Sequence, residues 1–193
     1  MKLADLAEKN RSYRRFDGSH RIPEDTLREL VALARITPSS GNKQALKYVL
    51  SCSPEWNARI FETLKWAGYL TDWPGPDETE RPTGYIVVLF DKELQINPDV
   101  DVGIVSQTML LGAVEKGLGG CMLASIKKDV LAKLFSLPEK LAVALVIALG
   151  KPVEKIVLED VAADGSIKYY RDPSRTHHVP KRALKDLIHA SYA

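Results

Sequence analysis

The chain has 193 residues, 45% of them hydrophobic and 27% charged, with 27 basic side chains against 25 acidic ones and a formal net charge of +2. That length supplies one sizeable core, the hydrophobic share excludes a disordered chain, and the near-neutral balance argues against a nucleic-acid or acidic-membrane partner. The two cysteines, Cys52 and Cys121, are too few for a disulfide framework or a metal knuckle. Their places inside apolar runs predict buried, reduced thiols and a cytoplasmic location. The N-terminal MKLADLAEKNRSYRRF carries charges too early for a signal h-region. The longest apolar run, Leu141–Leu149, has the length of a core strand rather than of a membrane span.

In chain order, residues 3–10 predict a short helix that runs into a basic stretch. Pro23–Arg35 predicts an amphipathic helix: Pro23 suits its first turn, Glu24 and Asp25 favour its positive end, and Leu27, Leu30, Val31 and Ala34 share one face. Tyr48–Cys52 reads as a strand and Pro54–Ala67 as a helix. Residues 71–83, dense in Pro and acid, form an irregular excursion. Gly84–Asp91 is a buried strand. Asn97 and Pro98 open a helix that runs to Lys116, with Val102, Val105, Met109, Leu110 and Ala113 inside, and Gly117, Gly119 and Gly120 stop it. Cys121–Ala124 is a short strand, Lys127–Phe135 a helix and Ala142–Leu149 a second buried strand. Residues 151–179 are polar and extended, and Pro180–His189 is a final short helix. Continuous apolar strands imply a sheet covered on both faces. A long extended tail implies something to wrap, and a partner subunit is the simplest candidate.

No standard catalytic motif is present. GLGG at Gly117–Gly120 lacks dinucleotide-fold spacing and precedes a strand, and there is no P-loop, GxSxG or HExxH. His177 and His178 are neighbours in an extended segment, so their side chains point apart and do not share a metal. What remains is a set of basic and polar clusters. Arg11-Ser12-Tyr13-Arg14-Arg15 reads either as a bidentate phosphate grip or as a solvated helix end whose cations face the negative dipole. PSSGNKQ at Pro38–Gln44 is uncharged apart from one lysine and rich in donors, and Lys181-Arg182 forms a second basic pair. Two separated basic clusters and a polar loop suit a ligand with one phosphate and a large neutral heterocycle.

Arg11-Ser12-x-Arg14-x-Phe16, Pro38-Ser39-Ser40-x-Asn42-x-Gln44, the helix Asp101–Lys116 leading into GLGGCMLAS, and ALGKP at Ala148–Pro152 occur in an order that resembles the nitroreductase family of flavoproteins, from about residue 5 to 188. The resemblance implies an α+β fold with a central, mostly antiparallel sheet flanked by helices. It also implies an intertwined homodimer whose C-terminal extensions are exchanged between subunits and whose FMN lies at the interface. On this reading residues 1–193 are one FMN-binding domain, with a short lid at 66–82 and a dimer-embracing arm at 151–193.

By the same resemblance Arg11, Ser12 and Arg14 hold the phosphate and the pyrimidine end of the ring, where a cation favours its reduced, anionic form. Pro38, Ser39, Ser40, Asn42 and Gln44 form the loop that reaches the other subunit's flavin. Leu123, Ala124 and Ser125 run beside the ring, and Lys181 and Arg182 complete the phosphate site. Tyr69 and Trp73 are candidate acceptor-pocket residues, or alternatively core aromatics. The chain departs from the family pattern after Gln44, where Ala45-Leu46 replaces Pro-Trp, and at Ala124-Ser125, which replaces Gly-Gly. The implied function is an FMN-dependent NAD(P)H oxidoreductase: a ping-pong hydride transfer through flavin N5, with NADH or NADPH as reductant, to a nitroaromatic, quinone or related acceptor. No protein side chain acts as nucleophile. Two other readings stay open: a flavin-binding store or redox sensor without steady turnover, and a reductive dehalogenase-like or flavin-consuming relative.

Overall fold

A computed structural model describes residues 1–192. The elements in order are α1 (Leu3–Lys9), α2 (Glu24–Arg35), β1 (Leu46–Ser51), α3 (Pro54–Phe61), β2 (Gly84–Asp91), α4 (Asp99–Glu115), β3 (Gly119–Leu123), α5 (Lys128–Leu134), β4 (Leu141–Gly150), β5 (Ile156–Asp160), β6 (Tyr170–Arg171), β7 (His177–Lys181) and α6 (Leu184–Leu187). The central sheet has four strands in the order β1-β2-β4-β3, and every neighbouring pair is antiparallel.

Alternation along β2 and β4 places apolar residues on both faces of this sheet. Ile86, Val88, Leu145, Ile147 and Leu149 pack with Leu27, Leu30, Val105 and Met109 of α2 and α4. Tyr85, Val87, Leu89, Val146 and Ala148 pack with Ile60 and Leu131 of α3 and α5. Pairing slips between Val88 and Leu89, whose partners are Leu145 and Val143. This bulge resets the parity of β4, so Val143 joins the α3/α5 side although Leu145 faces the other way. Each fully buried aliphatic side chain contributes about 1.5–3 kcal/mol, so the two layers supply the scaffold on which the polar segments rest.

Several boundaries differ from the sequence reading. The first strand begins at Leu46 rather than Tyr48. Helix α3 stops at Phe61 rather than Ala67, because the Thr63 hydroxyl donates to the Ile60 carbonyl at 2.6 Å and competes with the helical bond. The segment beyond it pairs instead with the chain after β3, through Lys65 N–H to the Ser125 carbonyl (3.0 Å) and Lys127 N–H to the Thr63 carbonyl (2.9 Å). Pro98 rather than Asn97 caps α4. Only Gly117, at φ 73°, ends that helix; Gly119 and Gly120 belong to β3. Cys52 is half-buried, whereas Cys121 is buried.

The largest difference lies beyond residue 151. Where the sequence reading had a polar, extended stretch with no assigned strands and then a helix from Pro180, the chain builds a second sheet of order β5-β7-β6, with β5 and β7 parallel. Pro180 sits inside β7, where its missing N–H costs little because β6 pairs only with His177 and His178. Helix α6 spans only Leu184–Leu187, and every residue from Lys181 to Tyr192 is exposed.

Glu80 joins these layers. In the sequence Glu80 is only one acid of the irregular 71–83 excursion. In the fold the Glu80 carboxylate accepts both Nε and Nη2 of Arg15 at 2.7 Å, and Nη2 of Arg175 at 3.2 Å. Arg15 keeps only 8% of its side-chain surface and Glu80 19%. The hydrogen bonds from Arg15 are the main cause holding the Glu80 carboxyl below its ordinary range. Its stabilisation is therefore present above the unfolded-state value and is lost as pH falls through the folded one. We expect Glu80→Gln to lower the unfolding free energy by about 3 kcal/mol near pH 7, the scale for removing one partner of a buried pair. The gap from wild type should begin to narrow as pH falls below the ordinary glutamate range, about 4.3, and close in solution more acidic than the lowered folded-state value. Urea titrations near pH 7 and under those acidic conditions test this, and an equal gap at both would separate Glu80 from the effect.

Candidate functional site

A cleft of about 310 Å³ lies between the N-terminal run, the middle of α4, β3 and the small sheet. Its walls bring together Arg11, Ser12 and Arg14 from one end of the chain and Lys181 from the other, with Gln107, Met122, Tyr169 and His177 between them. Among the described residues no carboxylate lines it.

The N-terminal run is held by backbone contacts to β3, where one glycine must stay bare for the run to approach. Ser12 bridges Gly120 in parallel register, and Tyr13 N–H donates to the Gly120 carbonyl at 3.0 Å. A Cβ on Gly119 would meet the Tyr13 ring at 2.5 Å, and one on Gly120 would meet the Ala148 carbonyl oxygen at 2.5 Å. Gly119 thus allows the basic run to lie against β3, while Gly120 allows β3 to sit close to β4 and α4. The Arg15 side chain is bonded to Glu80 outside the cleft, so only two of the three clustered arginines serve it. Arg11 donates through Nη2 to the Ala7 carbonyl at 2.7 Å, and Arg14 through Nη1 to the Ser12 carbonyl at 3.1 Å. The Nε of each is buried without a protein partner.

Behind Arg14 stands Glu154, which the sequence reading missed. Its Oε2 accepts the Arg14 N–H at 2.9 Å, and its Oε1 accepts Nε and Nη2 of Arg171 at 3.1 and 2.5 Å. Tyr169, also missed, has its ring 5.0 Å from the Arg14 guanidinium carbon and 5.1 Å from the His177 ring. Nothing in the sequence marked either residue, because both lie in a polar stretch without periodicity.

His177 and His178 point to opposite sides of β7. His177 is 1% exposed, and burial pushes its pKa down to about 4, so it is neutral near pH 7. His178 sets Nδ1 3.0 Å from Glu159 and Nε2 3.3 Å from Asp172, and stacks on Tyr170 at 4.7 Å. The hydrogen bond to Glu159, then that to Asp172, raises its pKa.

The remaining predicted residues lie outside the cleft within one chain. Leu123 is buried in the core, while Ala124 and Ser125 are exposed just past β3, whose Met122 does line the cleft. Arg182 is exposed next to Lys181. The loop from Pro38 to Gln44 sits at the start of α4, where Asp101 Oδ1 accepts the Ser40 N–H at 2.9 Å. Gly41, Asn42 and Gln44 have φ of 57°, 52° and 50°, values that Gly and Asn adopt with least strain. Gln44 donates to Asn42 Oδ1 at 3.2 Å, and Ser39 Oγ accepts the Gln44 N–H at 3.2 Å, so these side chains brace the loop. Ser39 and Gln44 border a different groove, of about 400 Å³, between α2, β1 and α4. Tyr69 and Trp73 line an open depression beyond Tyr169. Tyr69 packs on Tyr169 at 4.9 Å, and Trp73 lies under the Arg171 guanidinium at 4.1 Å.

A profile described as the nitroreductase family matches residues 7–70 and 80–151. The chain is 25% identical over 184 residues to a protein of Methanothermobacter thermautotrophicus provisionally named NADH dehydrogenase/NAD(P)H nitroreductase, spanning 92% of this chain and 86% of that one. Among solved structures it resembles a nitroreductase family protein of Clostridium difficile 630, with TM-score 0.65 and 23% identity over 80% of this chain and 86% of that one. It also resembles an FMN-dependent nitroreductase of Clostridium difficile R20291, with TM-score 0.65 and 20% identity over 79% of this chain and 88% of that one. An enone reductase of gut-bacterial fatty acid saturation gives TM-score 0.69 at 18% identity over 84% and 94% of the two chains. At these identities the structural likeness is one of fold.

The two histidines generate a paired expectation. His177, lowered from 6.5 to about 4, contributes stability above pH 6.5 that is lost as pH falls toward 4. His178, raised, contributes stability below its unfolded value that is lost as pH rises through its folded one. NMR titration of the ring protons should show His177 unchanged from pH 8 to 5 and His178 titrating above 6.5. Co-titration of the two would contradict the burial and carboxylate geometry described.

Proposed function

The chain belongs to the nitroreductase family, and on that premise we propose that it is an FMN-dependent NAD(P)H oxidoreductase working as a homodimer with FMN at the subunit interface. The observation that carries this reading is the cleft: guanidinium groups from residues 11 and 14 and an ammonium at residue 181, drawn from opposite ends of the chain, converge with no facing carboxylate among the described residues. Such a donor set suits a phosphate. The unpartnered Nε atoms of Arg11 and Arg14 are consistent with donors kept for a ligand.

When bound, FMN supplies N5 as the position through which hydride passes from NADH or NADPH and then, after exchange in the same pocket, to a nitroaromatic, a quinone or a related acceptor. The protein's part is binding, orientation and charge. Arg11, Ser12, Arg14 and Lys181, with Arg182 beside it, would hold the phosphate and the pyrimidine edge. Their positive potential favours negative charge added to the ring. Leu123, Ala124 and Ser125 would flank the ring at the end of β3. Pro38, Ser39, Ser40, Asn42 and Gln44 lie outside their own chain's cleft, which supports their reaching the cofactor of a second subunit. Residues 66–82 would form the lid, with Tyr69 and Trp73 near the acceptor across Tyr169.

We take the chain as one domain. The arm available to a neighbour begins near Arg182, because residues 154–181 pack on their own chain. Exposed Leu184, Leu187 and Ile188 give that arm apolar contacts to offer. Among the described residues no helix is long and apolar enough to cross a membrane. With two free cysteines we place the protein in the cytoplasm.

Purified protein should be yellow, and should oxidise NADH or NADPH steadily once a quinone or nitroaromatic is added; bound flavin without turnover would instead mark a store or sensor. Arg11→Ala should weaken FMN binding by about 1.5–3 kcal/mol, the scale of a charged hydrogen bond, which is roughly 10- to 150-fold in Kd. The shared site has a sharper test. Mixed dimers of an Arg11→Ala chain with a Ser40→Ala chain should carry one intact and one doubly altered site, and so bind FMN at half stoichiometry with wild-type affinity. Two singly weakened sites, one lacking Arg11 and the other lacking Ser40, would show that both residues serve the same chain's cofactor.

A further inference from the structure

The cleft gathers Arg11, Arg14 and Lys181, and the nearest anionic group does not touch it. Glu154 has a wholly buried side chain, held one layer behind the wall. Its carboxylate is bonded to the Arg14 N–H on one side and to the Arg171 guanidinium on the other. Among the described residues it is the sole carboxylate hydrogen-bonded to a residue that lines the cleft. Arg171 keeps only 13% of its side-chain surface, so the pair is poorly screened by solvent. A buried charge of this kind acts on the cleft in two ways. It fixes the backbone of the basic run, and it subtracts from the field that the cations project.

The second effect has a functional sign. A more positive site favours the more negative redox state of whatever it binds, so surplus cations would make a bound flavin a weaker reductant. We propose that Glu154 is a positioning residue and buried counter-charge of the cofactor site: it orients Arg14 and trims the positive potential, so that the reduced cofactor remains strongly reducing. This rests on the FMN reading above. The competing role is a purely mechanical one, in which Glu154 only staples the C-terminal segment to the N-terminal run. Mechanical loss would weaken oxidised and reduced FMN alike and leave the potential where it was. Loss of a counter-charge would strengthen the hold on the reduced form selectively.

The experiment measures the two-electron midpoint potential and the FMN Kd of the full-length holoprotein. Glu154→Gln keeps the shape and an acceptor oxygen but removes the charge. It should raise the affinity for reduced over oxidised FMN by about tenfold, a shift of about +30 mV for a two-electron couple. Glu154→Gln combined with Arg171→Gln restores the charge sum and should return the potential to the wild-type value. If Glu154→Gln alone does not fold, Arg171→Gln, which removes the cation paired with Glu154, should move the potential the opposite way by a similar amount. An unmoved potential in a flavin-loaded Glu154→Gln protein overturns the counter-charge role while leaving FMN binding standing. So does a double variant shifted as far as the single one, or an Arg171→Gln protein with no negative shift. Wild-type protein that takes up no FMN removes the parent reading and this one together.

Discussion

The arrangement of this protein turns on a carboxylate that has been taken out of water and must be compensated. Glu154 accepts three hydrogen bonds, one from the Arg14 backbone and two from the Arg171 guanidinium. Burying such a charge costs several kcal/mol unless its lone pairs are satisfied, so wherever Glu154 goes the N-terminal run and the strand β6 must follow. That requirement brings residue 14 next to residue 171 and makes the two ends of the chain the two walls of one cleft. The polar satellite sheet, which has little apolar surface of its own to bury, is held by this anchor and by the Arg15–Glu80–Arg175 clamp.

The apolar sheet beneath supplies rigidity, and its two bare glycines supply proximity. Gly119 lets the basic run lie against β3, and Gly120 lets β3 lie against β4 and α4, at distances that any Cβ would forbid. At the opposite wall, β7 turns His177 inward and His178 outward. The neutral inward ring adds no charge to the cleft, while the outward one bridges Glu159 and Asp172 and braces the satellite sheet. Adjacent residues in one strand thus take opposite electrostatic roles because the pleat places one in the interior and one between two acids.

Within a single chain the parts expected to surround a flavin are split. The phosphate-type donors and Met122 line the cleft at the middle of α4, while the donor-rich loop lies at its start, with Asp101 and Gln107 about 9 Å apart along the helix axis. The loop's left-handed residues, its internal hydrogen bonds and the Ser40 N–H bond to Asp101 keep it shaped while most of it stays exposed. An exposed, pre-shaped loop and an apolar C-terminal tail are what an interface with a second copy would use.

Much of this was legible in the amino-acid order. Periodicity marked α2, β2, α4 and β4, because each buries a continuous apolar face whose spacing is dictated by the backbone itself. The basic run and the polar loop were visible as clusters because their residues are adjacent. The satellite sheet was not visible, since its strands are short and polar and are stabilised by ion pairs between residues as distant as 80 and 175 rather than by local pattern. Nor could local reading tell that Arg15 would be spent on Glu80 while Arg14 faced the cleft, that Gly119 and Gly120 were strand rather than helix stop, or that Trp73 would lie under Arg171. Propensity and periodicity act over a few residues and so are written in the chain. The pairing of buried charges depends on which distant groups the folded core brings together, and only the tertiary structure decides it.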